Sequence, residues 1–295
     1  MPNLSLGALA KDAAKTKFRG FNLTLPTGSQ RPPLHTLSGQ TVLPPPPALS
    51  KPVIGGHRAP MVAVTPMAVP PALFKAASST KGDVDYQKGM HDLYNGLFDS
   101  LLDAIEFGFN LWRTSAGLVD VRINGPIANG GRLQGQPIDN MIMTAPSVAS
   151  WSSWSAKIRD AVAKGIDQQL SSLARSVTVS GLPWYPAFAA YPGPQTPPTP
   201  NIPSPFMALQ HDPSAMSPNN LKAVMRGALQ GDFEFSSEFF ESLAAGLQTP
   251  LQIWKTSQMV TGVVGMGPVP SFAPPYVPVG SVVNGTIIPG SHINT

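Results

Sequence analysis

Sliding the chain along itself by 142 positions lays residues 98–128 over 240–270 without a gap, and nine of the 31 aligned pairs are identical. The identities are Phe98/Phe240, Ser100/Ser242, Leu101/Leu243, Trp112/Trp254, Thr114/Thr256, Ser115/Ser257, Val121/Val263, Gly125/Gly267 and Pro126/Pro268. Two tryptophans in register are hard to assign to composition, so an internal duplication is expected. Each copy reads as the end of an amphipathic helix, a breaker (Gly108 or Pro250), Leu-Trp-Arg-Thr-Ser or Ile-Trp-Lys-Thr-Ser, an apolar strand-like stretch and Gly-Pro. Trp112 and Trp254, with Phe98 and Phe240, are expected to be packing anchors, and Arg113 and Lys255 to point outward. Two copies fall short of the three or more that a solenoid needs. The fold class that follows is α+β, with two related small helix-plus-strand units.

Around that core the chain is unusual in what it lacks. It holds 34 prolines and 27 glycines in 295 residues, only 12% charged residues, yet 42% hydrophobic ones. A disordered polyelectrolyte combines low hydrophobicity with high charge and is excluded. The absence of cysteine removes disulfides, iron–sulfur clusters, cysteine-bound zinc and thiol nucleophiles together. No segment approaches the roughly 20 apolar residues of a membrane span. The lysines near the start follow the apolar stretch Leu4 to Ala10, the reverse of a secretory signal, so the mature chain is expected to begin near Met1.

Charge and proline divide the chain. Residues 1–80 carry eight Lys or Arg, one acid (Asp12) and thirteen prolines, including Pro44, Pro45, Pro46 and Pro47 in a row. This reads as a basic, extended, proline-rich arm, studded with apolar residues that gain from lying on another surface. Such arms suit an acidic subunit or nucleic acid, and the dispersed bases favour protein. A helix with Met90, Leu93, Tyr94, Leu97, Phe98, Leu101, Leu102 and Ile105 on one face opens a first unit over 83–180. A second helix is predicted over about 150–175. Residues 181–216 form a proline-rich linker in which Trp184 and Tyr185, between Pro183 and Pro186, suit docking into a groove, or packing over the chain's own core. The second unit, 217–295, starts a helix at Ser217-Pro218 and breaks at Gly231. Asn284-Gly285 between Ser281-Val282-Val283 and Thr286-Ile287-Ile288 predicts a closing β-hairpin, and Asn129-Gly130-Gly131 predicts a turn.

Chemistry-bearing patterns are missing. The five histidines (His35, His57, His91, His211, His292) make no metal-binding spacing. No nucleophile elbow, phosphate loop or dinucleotide turn occurs, and a calcium loop from Asp83 and Asp85 would end on Tyr94 where a Glu is required. Asp99, Asp103 and Glu106 lie on a helix's polar face, where solvated carboxylates are expected. No catalytic residue, cofactor or metal is therefore assigned, and no enzyme is expected.

In composition and layout, over the whole chain, it resembles the minor structural proteins of tailed bacteriophage virions and related contractile injection particles. That resemblance implies a component of a capsid, tail or baseplate, located in the virion, whose proline-rich arms join other protein subunits in a homo- or hetero-oligomer. The alternatives are a secreted or cell-surface binding module with a proline-rich stalk and an enzyme with an unrecognised site. Deleting residues 1–75 is expected to leave the body folded but unable to assemble.

Overall fold

The computed structural model describes residues 6–21, 71–184, 195–269, 272–273, 277–278 and 281–294. The chain divides into two units, one formed by Met1–Phe21 with His91–Thr295 and the other by Asn22–Met90. Of the second, the described part is helix, the N-terminal stretch of α2 (Pro71–Ser115). Everything below concerns the first unit, a mixture of helix and antiparallel sheet, which is the α+β class expected.

The helices form where the apolar period says they should. In α4 (Ser153–Ser176) the stripe Ile158, Val162, Ile166, Leu170 and Leu173 is buried at a 3.6-residue repeat. The shorter α5 (Pro218–Ala228) starts as predicted: the Ser217 hydroxyl accepts from the Asn220 N–H at 3.4 Å, and Pro218 takes the first turn, where no N–H is needed. Gly231, at φ +95°, separates it from α6 (Ser236–Ser257). Gly165 lets α4 and α5 touch, since a Cβ there would lie 3.1 Å from the Met225 backbone.

Neither expected breaker breaks its helix. The C-terminal part of α2 continues through Gly108, and α6 through Pro250, as far as Ser115 and Ser257. A mid-helix proline costs about 3 kcal/mol of propensity, and Pro250 sits buried where packing offsets that cost. Gly108 is a close approach instead: a Cβ would lie 3.2 Å from the Ile142 backbone nitrogen of the short helix α3 (Asp139–Met143).

The two helix ends are built alike, 142 residues apart. Thr114 and Ser115 donate their hydroxyls to the carbonyls of Leu111 (2.7 Å) and Trp112 (2.9 Å). Thr256 and Ser257 do the same to Ile253 (3.0 Å) and Trp254 (3.3 Å). The next N–H, of Ala116 or Gln258, closes on the tryptophan carbonyl at 3.0 Å in both. Strand follows at once: β1 (Gly117–Asn124) in the first half, β6 (Met259–Val260) and β7 (Val264–Met266) in the second. Midway, Asp120 at φ +59° and Gly262 at φ +68° occupy matching positions in the left-handed region.

The six-stranded sheet runs β3-β2-β1-β10-β7-β4, all antiparallel and curled, with β2 (Ile127–Gln134), β3 (Val179–Pro183), β4 (Thr199–Pro200) and β10 (Gly285–Ile287). A three-stranded sheet places β6 between β5 (Ser204–Pro205) and β11 (Ile293–Asn294), and a two-stranded ribbon joins β8 (Phe272–Ala273) to β9 (Val277–Pro278). The expected hairpin around Asn284-Gly285 does not form. Asn284 has the left-handed φ of +53°, but residues 281–283 are not a strand, and β10 pairs on one side with β1 and on the other with β7. Nor is Asn129-Gly130-Gly131 a turn. These residues lie inside β2, and the positive φ of Gly130 and Gly131 opposite Asp120 kinks the β1–β2 pair and curls the sheet.

This interleaving corrects the expected boundaries. The strand 179–183 straddles the start of the expected linker and 199–200 lies inside it, yet they pair with strands of the expected first and second helix-plus-strand units respectively. Asn201 from the same stretch is buried, donating to the Val260 carbonyl and accepting from the Val263 N–H, each at 3.0 Å. Two stretches of the expected extended arm are helical instead, Leu6–Arg19 and the part of α2 from Pro71. Residues Leu6–Arg19 form a helix, α1, because no proline falls between Pro2 and Pro26 and its Ala-rich, Lys-bearing sequence favours helix.

Candidate functional site

The anchors of the two halves meet. Trp112 and Trp254 are almost fully buried and pack edge to face with centroids 6.3 Å apart, joined by Phe109 (5.0 Å from Trp254) and Phe206 (5.4 Å). At the other end of the helices Phe98 stacks on Phe239 at 4.6 Å, and Phe240 lies 5.6 Å from Phe239. All four sequence-predicted anchors are therefore core residues. The basic neighbour in the second half departs from expectation: Lys255 is buried, donates to the Ala215 carbonyl at 3.3 Å, and has its pKa lowered by that burial.

Trp184 is core as well, and not a free docking residue. Its ring is 1% exposed, its indole N–H donates to the Thr199 carbonyl at 2.9 Å, and its backbone N–H to Pro126 at 2.7 Å. A proline-flanked aromatic can lie in the sheet region here because its bridge to Asn201 sits at the sheet's edge. Tyr185 and Pro44 to Pro47 lie outside the described residues.

The surface that residues from distant parts of the chain do build is the seat of α1. Ala10, Ala14 and Phe18 form its buried stripe. Gly246 of α6 faces it so closely that a Cβ would lie 2.7 Å from the Ala10 carbonyl and 2.8 Å from the Ala14 Cβ. Phe18 enters the aromatic cluster, 4.9 Å from Tyr94 and 5.5 Å from Phe98. Alongside runs a ladder of charge: Lys11 to Asp103 (2.5 Å), Lys15 to Asp99 (2.6 Å) and Lys17 to Glu241 (3.2 Å). At the foot of the ladder Glu106 accepts the Gly7 N–H at 3.2 Å, placing a carboxylate on the positive end of the helix.

The carboxylates expected to be merely solvated are thus the rail on which α1 sits. Glu241 also receives Lys222 at 2.7 Å, and its pKa is lowered by the hydrogen bonds from Lys222 and Lys17. Sequence reasoning missed the pairing, yet a signal was present. Lys11 and Lys15 are four apart on one helix and Asp99 and Asp103 four apart on another, the spacing at which antiparallel helices match charge for charge. Such partly exposed pairs contribute about 0–1 kcal/mol each, so burial of Ala10, Ala14 and Phe18 carries most of the affinity and the charges set register.

Among the described residues little else offers chemistry. A small apolar cavity of about 20 Å³ under the first turns of α1, walled by Ala10, Leu102, Ile105, Phe109, Leu247 and Leu251, has room for at most a water molecule. Among the described residues no three His, Cys, Asp or Glu side chains are grouped to hold a metal ion. No helix among them is long and apolar enough to cross a membrane. His292 is buried and structural: Nδ1 accepts the Leu118 N–H at 2.8 Å, and burial lowers its pKa.

No protein-family model, no curated protein and no solved structure matches the chain. The class that fold and site define is an α+β body with a docked N-terminal helix.

Proposed function

We propose that the chain is a structural component of a large protein assembly, of the kind found in bacteriophage virions, that joins neighbouring subunits through its N-terminal segment. The observation that carries this reading is the seat of α1. A 14-residue helix is bound into a groove of the body by a buried apolar stripe, three ion pairs and the Gly7–Glu106 hydrogen bond, at the far end of the 49 residues numbered 22–70, eleven of which are proline. A groove that receives a helix from so far along the chain is the attachment device an assembly protein needs. Three of the arm's eight basic side chains, Lys11, Lys15 and Lys17, are matched to carboxylates, which favours protein over nucleic acid as its partner.

We also read the body as a duplicated unit. The matching helix ends, the matching hydroxyl bonds and the left-handed residue at the same step of both strands support descent from one helix-plus-strand ancestor. Limited proteolysis tests the assembly reading. Cleavage confined to residues 22–70 in the isolated protein, and suppressed in the particle that contains it, is the expected pattern. Equal cleavage in both settings contradicts it.

A further inference from the structure

We propose that α1 is a pH-operated latch: acid that charges the His91 imidazole weakens the seat of α1 on the body and opens it. The inference goes beyond the assembly reading and does not depend on it.

His91, on α2, lies against the last turns of α1. Its ring meets the Phe18 ring edge to face with centroids 5.4 Å apart, and Phe18 is the fully buried end of the α1 stripe. The His91 Nδ1 atom is buried and has no hydrogen-bond partner. A proton added there makes a cation whose Nδ1–H has no acceptor in the packed seat, and burying an unpaired charged donor is unfavourable.

Two charged groups act on the ring, Arg19 from α1 and Asp92 from its own helix. Asp92 stays beside His91 wherever α1 is, whereas the Phe18 ring and Arg19 arrive only with α1. The other bases nearby on α1 are engaged elsewhere, Lys15 with Asp99 and Lys17 with Glu241 of α6. The end of α1 offers a further cation little. Its last turn already carries Lys17 and Arg19, and the carbonyls of Thr16, Lys17 and Phe18 are taken by the N–H groups of Gly20 and Phe21.

Burial first, and Arg19 second, hold the docked ring below the ordinary histidine range. When α1 leaves, the ring sheds Phe18 and Arg19 and moves back toward the ordinary 6.5. The open state therefore binds the extra proton. Docking is at full strength above about pH 6.5 and weakens as pH falls through the docked value. The charge ladder yields only at lower pH, since hydrogen bonds from Lys222 and Lys17 hold Glu241 below the usual carboxylate range.

Amide hydrogen exchange on the full chain tests the latch. Protection of the α1 amides, corrected for the intrinsic pH dependence of exchange, is expected to fall several-fold from about pH 8 to about pH 5, while α4 keeps its own. The His91 ring, followed by NMR, is expected to titrate over the same interval. In His91→Gln the fall disappears. In Arg19→Gln, a change at an exposed side chain that leaves the packing intact, the fall shrinks and the ring titrates higher. Circular dichroism at each pH checks that the variants are folded. Protection of α1 that is equal at both pH values, or that falls as much in His91→Gln as in the native chain, overturns the latch. A fall shared by α4 overturns it as well, because it marks global unfolding driven from elsewhere, as at His292.

Discussion

The two halves of the body part company within the stretch over which their sequences align. After Trp112 the first half lays down one eight-residue strand, β1, paired along its length by β2, which returns directly through Gly125-Pro126. After Trp254 the corresponding stretch is cut at Gly262 into β6 and β7, which serve different sheets with partners from β5, β11, β4 and β10. The inward residues correspond, Leu118 with Val260 and Val121 with Val263, all fully or almost fully buried. Strand continuity here is decided by who pairs, and only weakly by the strand's own residues. One substitution shows the halves fitted to each other. Where the first has Ile123 the second has Gly265, and any Cβ at Gly265 would collide with the Ile123 side chain and lie 3.2 Å from the Trp184 ring.

The strongest way to break the comparison is to remove an anchor. Trp112→Ala and Trp254→Ala are each expected to cost about 3–5 kcal/mol in urea unfolding. Because the rings touch, the double variant is expected to cost measurably less than the sum. Strict additivity would mean the halves do not share a core, while unchanged stability with altered self-association would make the tryptophans interface residues.

Next in size is the fit between the halves. Gly265→Ala overpacks the centre and is expected to cost about 1–3 kcal/mol. Ile123→Val removes the Cδ1 atom nearest the new methyl and should restore part of that loss in the double variant, although alone it costs about 0.5–1.5 kcal/mol. A double variant no better than Gly265→Ala rules out this contact as the reason for the glycine.

Smaller effects sharpen the comparison at the kink. Gly262→Ala places a side chain at φ +68° and is expected to destabilise by about 1–2 kcal/mol, whereas Asp120→Gly, at φ +59°, relieves strain and should change melting little. The last concerns the first half's link to the C-terminus. His292 is held neutral by burial, so its folded pKa lies below the unfolded 6.5. Its contribution is therefore fully present above about pH 6.5 and is lost as pH falls through the folded value, because the unfolded chain then binds the extra proton. A melting series from pH 8 to 5 should show this loss in the native chain and a reduced one in His292→Gln.

Much of the secondary structure was legible, for local reasons. The buried stripe of α4 and the Ser217-Pro218 start of α5 follow from periodicity and capping alone. What could not be read depended on distant partners. Pro250 reads as a stop until its burial in α6 is known. Asn284-Gly285 reads as a hairpin until β1 and β7 take both edges of β10. Trp184 reads as a docking residue until Thr199 supplies its hydrogen bond. Likewise Asp99 and Asp103 read as solvated until α1 arrives from ninety residues upstream.

That helix also revises the truncation expected from sequence. Deleting residues 1–75 removes Ala14 and Phe18 from the core and should destabilise the body, not merely disconnect it. The claim of an assembly protein meets its most direct test in sedimentation of a lysate from the source cells or particles. The account predicts that the chain travels with a particle many times its own 31.1 kDa mass, together with stoichiometric neighbours. Recovery of the whole population as a free monomer would contradict it.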